Sequence, residues 1–164
     1  QGVLIKDGSA LERLAEVDYG EWTGRKIGEL VKEPLWSVVQ QQPSAAVFPA
    51  GEGLAQVQAR AVAAVREHDR RLAEEHGSDA LWVACTHGDV IKAVVADALG
   101  THLDSFQRIT ADPASMSVIR YTPLRPFVVH VNHTGAELAS VLTAPPPKQG
   151  ENGESDAVVG GSTD

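Results

Sequence analysis

The stretch LWVACTHGDVIK, Leu81 to Lys92, constrains the fold more than any other part of the chain. An apolar run from Leu81 to Cys85 ends at Thr86, and His87-Gly88 then open a pattern that places Ile91, Val94, Val95, Ala98 and Leu99 on one helical face, with Gly100 as the stop. A strand therefore gives way to a helix, with an imidazole at the junction. Open α/β sheets bind ligands at such junctions. The crevice lies beyond the carboxyl ends of the strands, and a helix beginning there offers free N–H groups and a positive dipole end to an anion. Position alone leaves His87 either a structural loop residue or a ligand-binding one.

The rest of the chain reads in the same α/β terms. Val3 to Ile5 is a short apolar segment, and residues 11 to 25, with the glycine-punctuated DYGEWTG, read as extended or irregular. Ile27 to Val31 and Leu35 to Gln41 suit two short helices broken at Pro34, and Pro43 to Gly53 is a loop. Leu54, Val57, Ala61, Ala64, Val65, His68 and Leu72 recur at helical spacing, which predicts a long helix ended by Gly77. Met116 to Tyr121 and Phe127 to Val131 are β-rich and read as a hairpin-like pair at a sheet edge. That makes three or four strands, against about five or six in a mean sheet, so the sheet is expected to be incomplete.

Composition narrows the classes of function. With 164 residues and 43% hydrophobic content, the chain suits one domain, residues 1–143, followed by a Pro/Gly/Ser-rich acidic tail, 144–164, expected to be disordered. No apolar run approaches the roughly 20 residues that span a bilayer, and the first residues have no signal-peptide layout, so no membrane partner and a cytoplasmic location are the expectations. A single cysteine, Cys85, excludes an internal disulfide and reads as a small buried hydrophobe. The net charge of −8 argues against nucleic acid as a partner. The tail, with one lysine against four acids, carries −3 of it and leaves −5 for the remainder.

A second chemical candidate is Glu16. It lies among Leu14, Ala15 and Val17, where desolvation would raise its pKa toward neutrality and suit it to proton transfer. The other reading is a solvated carboxylate on a strand edge.

Taken together, LAEVDYGEWTG (14–24), PAGEGLAQVQAR (49–60) and THGDVIK (86–92), in that order and at that spacing, resemble the histidine phosphatase superfamily, the phosphoglycerate-mutase-like proteins. The resemblance covers residues 11 to about 139 and implies a three-layer α/β sandwich. It further implies a two-step phosphoryl transfer to or from a small phosphorylated substrate, with no metal and no cofactor. In that family the histidine of an Arg-His-Gly motif attacks phosphorus, arginines and a second histidine hold the phosphate, and a glutamate protonates the leaving oxygen. By motif position Glu16 corresponds to the proton donor, and His87 with Gly88 to the phosphate-binding histidine and its helix start. A phosphohistidine divides one difficult displacement into two easier ones.

The pattern is broken at two points: no position matches the family's second phosphate-binding arginine, and no Arg-His-Gly occurs. His68, His76, His87, His102, His130 and His133 are the six histidines, and none follows an arginine. The expectation is therefore the C-terminal part of a phosphatase or phosphomutase, lacking the first strand-helix-strand portion and inactive alone. The alternative is a non-catalytic family remnant that binds phosphorylated ligands or proteins. Either would leave an exposed sheet edge and a tendency to self-associate.

Other chemistries fit less well. A cysteine phosphatase needs an arginine six positions beyond its nucleophile, and Ile91 stands there. Metal ligation by His87 with Asp89, or His130 with His133, offers two groups where a site needs more, and a regular strand would send His130 and His133 to opposite faces. Asn132-His133-Thr134 is a glycosylation sequon without consequence in a cytosolic chain. Trp36, Gln40, Gln41 and Phe48 are candidates to line the substrate mouth, with packing as the other reading.

Overall fold

Proline has no N–H to lose at the first position of a helix, and Pro34 opens a helix as well as ending the one before it. In the computed structural model, which describes residues 12–77 and 80–135, α1 spans Ile27–Leu30 and α2 spans Pro34–Gln41. A short 3-10 turn, Pro43–Ala45, and an isolated bridge between Val47 and Gly53 shape the loop that follows. Helix α3, Leu54–His76, starts where the Gly53 N–H donates to Gln56 Oε1 at 2.8 Å. It buries Leu54, Val57, Ala61, Ala64, Val65 and Leu72, the predicted stripe apart from half-buried His68, and ends at Gly77.

Helix α4, Gly88–Leu99, stops at Gly100, which adopts the left-handed conformation that glycine takes without a Cβ penalty. It packs on α3 and on a 3-10 segment, Leu103–Arg108. Its buried residues run from Asp89 to Ala98 and surround most of the helix. Strands β1, Met116–Arg120, and β2, Phe127–His133, form the predicted antiparallel pair, with Val118 opposite His130 and Arg120 opposite Phe127. Two register shifts interrupt the ladder. Asn132 has a φ of 55°, and the rings of His130 and His133 stand 5.8 Å apart rather than on opposite faces. The fold is mixed α/β, as the sequence predicts. Among the described residues no helix is long and apolar enough to cross a membrane.

Two expectations are corrected here. Trp36 and Phe48 are 7% and 1% exposed, so they belong to the core and not to a substrate mouth. Trp36 stacks on Trp22 at 6.1 Å, and Phe48 meets Trp22 and Tyr19 edge-on at 5.3 and 5.1 Å. Large rings gain most from burial, and mutual edge contacts add to that gain. Gln41 is exposed and Gln40 half-buried.

The second correction concerns residues 81–86, where no strand forms among the described residues. Leu81 and Val83 are 68% and 62% exposed, and Cys85 is exposed rather than buried. A strand exists only by pairing its N–H and C=O groups with a neighbour. The described sheet consists of β1 and β2 alone and supplies none. Side chains anchor the segment instead. Trp82 donates from Nε1 to Asp69 Oδ1 at 3.1 Å and packs on the His68 ring, and Thr86 Oγ1 donates to the Leu14 carbonyl at 2.6 Å. The N-terminal apolar segment, the tail and the boundary at 143 lie outside the described residues.

Candidate active site

The loop that carries Glu16 is held from outside by its backbone. Arg60, on α3, donates to the carbonyls of Arg13, Ala15 and Glu16 at 2.7, 2.9 and 3.1 Å. Its other N–H groups make a two-pronged contact with Glu52 at 2.8 and 2.9 Å, the geometry in which a guanidinium binds a carboxylate most strongly. Glu52 Oε2 in turn accepts the Asp18 N–H at 3.1 Å. The Arg60 hydrogen bonds hold the Glu52 carboxyl below the usual carboxylate range, against a smaller effect of burial.

Glycine is required where this loop meets the next one. Gly20 has a φ of 52°, and a Cβ there would strike the Pro49 carbonyl oxygen. A Cβ on Gly51 would likewise strike the Asp18 carbonyl. The bare backbones are joined by Glu21 N–H to Pro49 O at 2.9 Å and Glu52 N–H to Asp18 O at 2.8 Å. Gly20 of DYGEWTG and Gly51 of PAGEG are thus the two sides of one close approach.

On that frame Glu16 is half-buried, with its side chain 26% exposed. Burial raises its pKa above the ordinary value. The Val17 N–H, which its Oε1 accepts at 2.9 Å, opposes the rise, nearby Asp89 reinforces it, and His87 and Arg60 oppose it. The other oxygen, Oε2, lies 3.9 Å from His87 Nδ1. His87 caps α4 with an extended backbone, and its side chain is 57% exposed. Gly88 begins the first helical turn, whose N–H groups lack intrahelical acceptors. The sequence candidates Glu16, His87 and Gly88 are therefore brought to one place from segments distant in the chain.

Behind this pair lies a buried polar chain that sequence reasoning missed. The Tyr19 hydroxyl donates to Asp89 Oδ2 at 2.9 Å, and Lys92 Nζ stands 3.4 Å from Asp89 Oδ1. Lys92 also donates to Gln107 Oε1 at 3.2 Å and lies over the Phe106 ring. Burial, and then the charge of Asp89, raise the Tyr19 pKa, so its hydroxyl keeps its proton. Asp89 points to these partners, which sets it apart from a ligand pair with His87. Among the described residues no group of three or more His, Cys, Asp or Glu could hold a metal ion. The roles of Arg60 and Glu52 were also unread, although both lie in a motif that the sequence singles out.

An imidazole at a helix start thus faces a half-buried carboxylate of raised pKa in an α/β fold. The chain belongs to the histidine phosphatase superfamily (branch 1), whose family model matches residues 7–134. Solved structures share the fold. Bacillus stearothermophilus YhfR matches with a TM-score of 0.63 at 23% identity, covering 79% of this chain and 72% of that one. A mycobacterial glucosyl-3-phosphoglycerate phosphatase in complex with inorganic phosphate matches at 0.63 and 21%, covering 76% and 65%. The alpha-ribazole phosphatase of Shigella flexneri matches at 0.55 and 21%, covering 76% and 61%. The chain thus spans from 61% to 72% of the length of these three. No curated protein matches it in sequence.

Proposed function

We propose that Glu16 and His87 form the proton-donor and phosphate-binding half of a phosphomonoester phosphatase or phosphomutase site that works through a phosphohistidine. The observation that carries this reading is the 3.9 Å approach of the Glu16 carboxyl to the His87 imidazole at the start of α4. A phosphoryl group seated on the N–H groups of that first turn and on His87 would place its leaving oxygen within reach of Glu16. In the first step the P–O bond to the leaving group breaks as a histidine nitrogen bonds phosphorus, and Glu16 delivers its proton to the departing oxygen. In the second step Glu16 takes a proton from water, or from an acceptor hydroxyl, as that oxygen displaces the histidine. The raised pKa of Glu16 suits both duties.

The sequence contains no Arg-His-Gly, so we place the nucleophilic histidine outside these 164 residues and expect the chain alone to be inactive. The neighbours named as phosphatases support a small phosphorylated substrate and nothing narrower. The test is hydrolysis of p-nitrophenyl phosphate by this chain and by a version extended upstream with an in-frame Arg-His-Gly segment. The expected result is turnover by the extended form only, reduced about 10²- to 10⁴-fold by Glu16→Gln and strongly by His87→Ala. Equal turnover by both forms would overturn the missing nucleophile. The absence of Arg-His-Gly also favours a second reading, a non-catalytic phosphate-binding module, for which phosphate binding without turnover in any form is the signature.

A further inference from the structure

Two buried charges stand beside the site and have no part in the chemistry above. Asp89 and Lys92 are 1% and 5% exposed. Burying an ion pair costs several kcal/mol per ion before their attraction offsets it, and apolar residues of similar volume are often at least as stable. Packing alone therefore gives this pair no rationale on the buried face of the helix.

Its connections supply one. Tyr19 follows Glu16 by three residues in the loop, and Asp89 follows His87 by two in the first turn of α4. The hydrogen bond from Tyr19 to Asp89 thus joins the strip of chain that bears the carboxylate to the strip that bears the imidazole. Among the described residues no backbone-to-backbone bond crosses that gap, and the other hydrogen bond across it, from Thr86 Oγ1 to the Leu14 carbonyl, lies on the far side of Glu16 and His87 from Tyr19 and Asp89. The tyrosine ring is held edge-on by Phe48, and the aspartate by Lys92, which is itself tied to Gln107. Each end of the link thus has a packed or charged neighbour.

Resting on the reading of Glu16 as the proton donor, we propose that Asp89, gripped by Tyr19, is the positioning residue of the site, fixing Glu16 against His87 and presenting a like charge to its carboxyl. The charged and titratable groups that face Glu16 are Asp89 and His87 from the start of α4, Arg60 from α3 and Tyr19 from its own loop. Of these, Asp89 is the fixed anion whose charge favours protonated, donating Glu16, while His87 and Arg60 pull the other way.

The test is a carbon-13 titration of the glutamate carboxyls in the full 164-residue chain, with the Glu16 resonance assigned by its loss in Glu16→Gln. Tyr19→Phe removes the link and keeps the ring. Asp89→Asn removes the charge and keeps an acceptor for the tyrosine. Asp89→Asn is expected to lower the Glu16 midpoint, and Tyr19→Phe, which frees the loop from Asp89 while leaving its charge, to shift it, each by roughly half a pH unit or more. A merely structural contact would lower the melting temperature and leave the midpoint in place, and that result from Tyr19→Phe overturns the proposal. Should Asp89→Asn unfold because buried Lys92 loses its counter-charge, Asp89→Asn with Lys92→Met is titrated in its place, and an unmoved midpoint there is equally fatal. The measurement needs no turnover. A lowered midpoint in a chain whose extended form ignores Glu16→Gln would sink the phosphatase reading alone, and the reverse would sink the positioning role alone.

Discussion

Two segments bring the site together, and they are held in opposite ways. The loop at 14–20 is bound through its backbone, by Arg60 on its carbonyls and by the Gly20–Gly51 approach, over a core of Trp22, Trp36 and Phe48. The segment at 81–87 has no ladder partner among the described residues, and rests on the side chains of Trp82 and Thr86. Glu16 thus sits on a fixed frame. The imidazole takes its order from the helix that follows it and from what is packed behind that helix.

The largest test of this contrast is in the aromatic core. Phe48→Ala should cost about 3 to 5 kcal/mol in urea unfolding, and a loss near zero would mean that the firm half is not firm. Arg60→Met comes next, since it strands Glu52 and three carbonyls; a loss of about 3 kcal/mol is expected, with faster amide exchange at Val17. Gly20→Ala should cost about 2 kcal/mol, because the left-handed backbone and the Pro49 carbonyl both resist a Cβ.

Smaller effects come from pH, and here the two carboxylates of the frame have opposite signs. Glu16 has its folded pKa raised, so the native state holds more protons than the unfolded one, and stability falls as pH rises through the ordinary carboxylate value to the folded one. Glu16→Gln should therefore be relatively more stable at pH 7 than at pH 4. Glu52, lowered by Arg60, contributes stability that is present above the ordinary value and lost as pH falls through the folded one. Glu52→Gln should destabilise at pH 7 and lose that effect in acid. A pair of melting curves against pH decides both. The smallest changes belong to the unpaired segment: Leu81→Ser and Cys85→Ser should stay within about 0.5 kcal/mol, and native Cys85 should react with a disulfide reagent without denaturant. A Leu81→Ser loss as large as that of Phe48→Ala would erase the contrast.

Local signals in the sequence were read correctly because their causes are local. Pro34, Gly77 and Gly100 act through their own backbones, and the apolar stripe of α3 needs only helical spacing. The nearness of Glu16 and His87 is legible as far as each stands in a motif of the same ordered pattern. What escaped depends on partners distant in the chain. Residues 81–86 have strand composition, but a strand also needs a neighbour. Trp36 and Phe48 look the same in a sequence whether they line a mouth or fill a core. The meeting of His130 and His133 depends on the left-handed backbone at Asn132, and Asp89 reads only as a weak metal-ligand candidate until Tyr19 is placed beside it.

Arg60 grips peptide carbonyls and not side chains, so the shape of the acid-bearing loop is written at one position and its reactivity at another. Residues 13, 15 and 16 offer the same three oxygens whatever side chains they carry. A variant that changes the carboxyl at 16 therefore inherits the same seat, and the chemistry of that position can be altered without rebuilding the ground on which it stands.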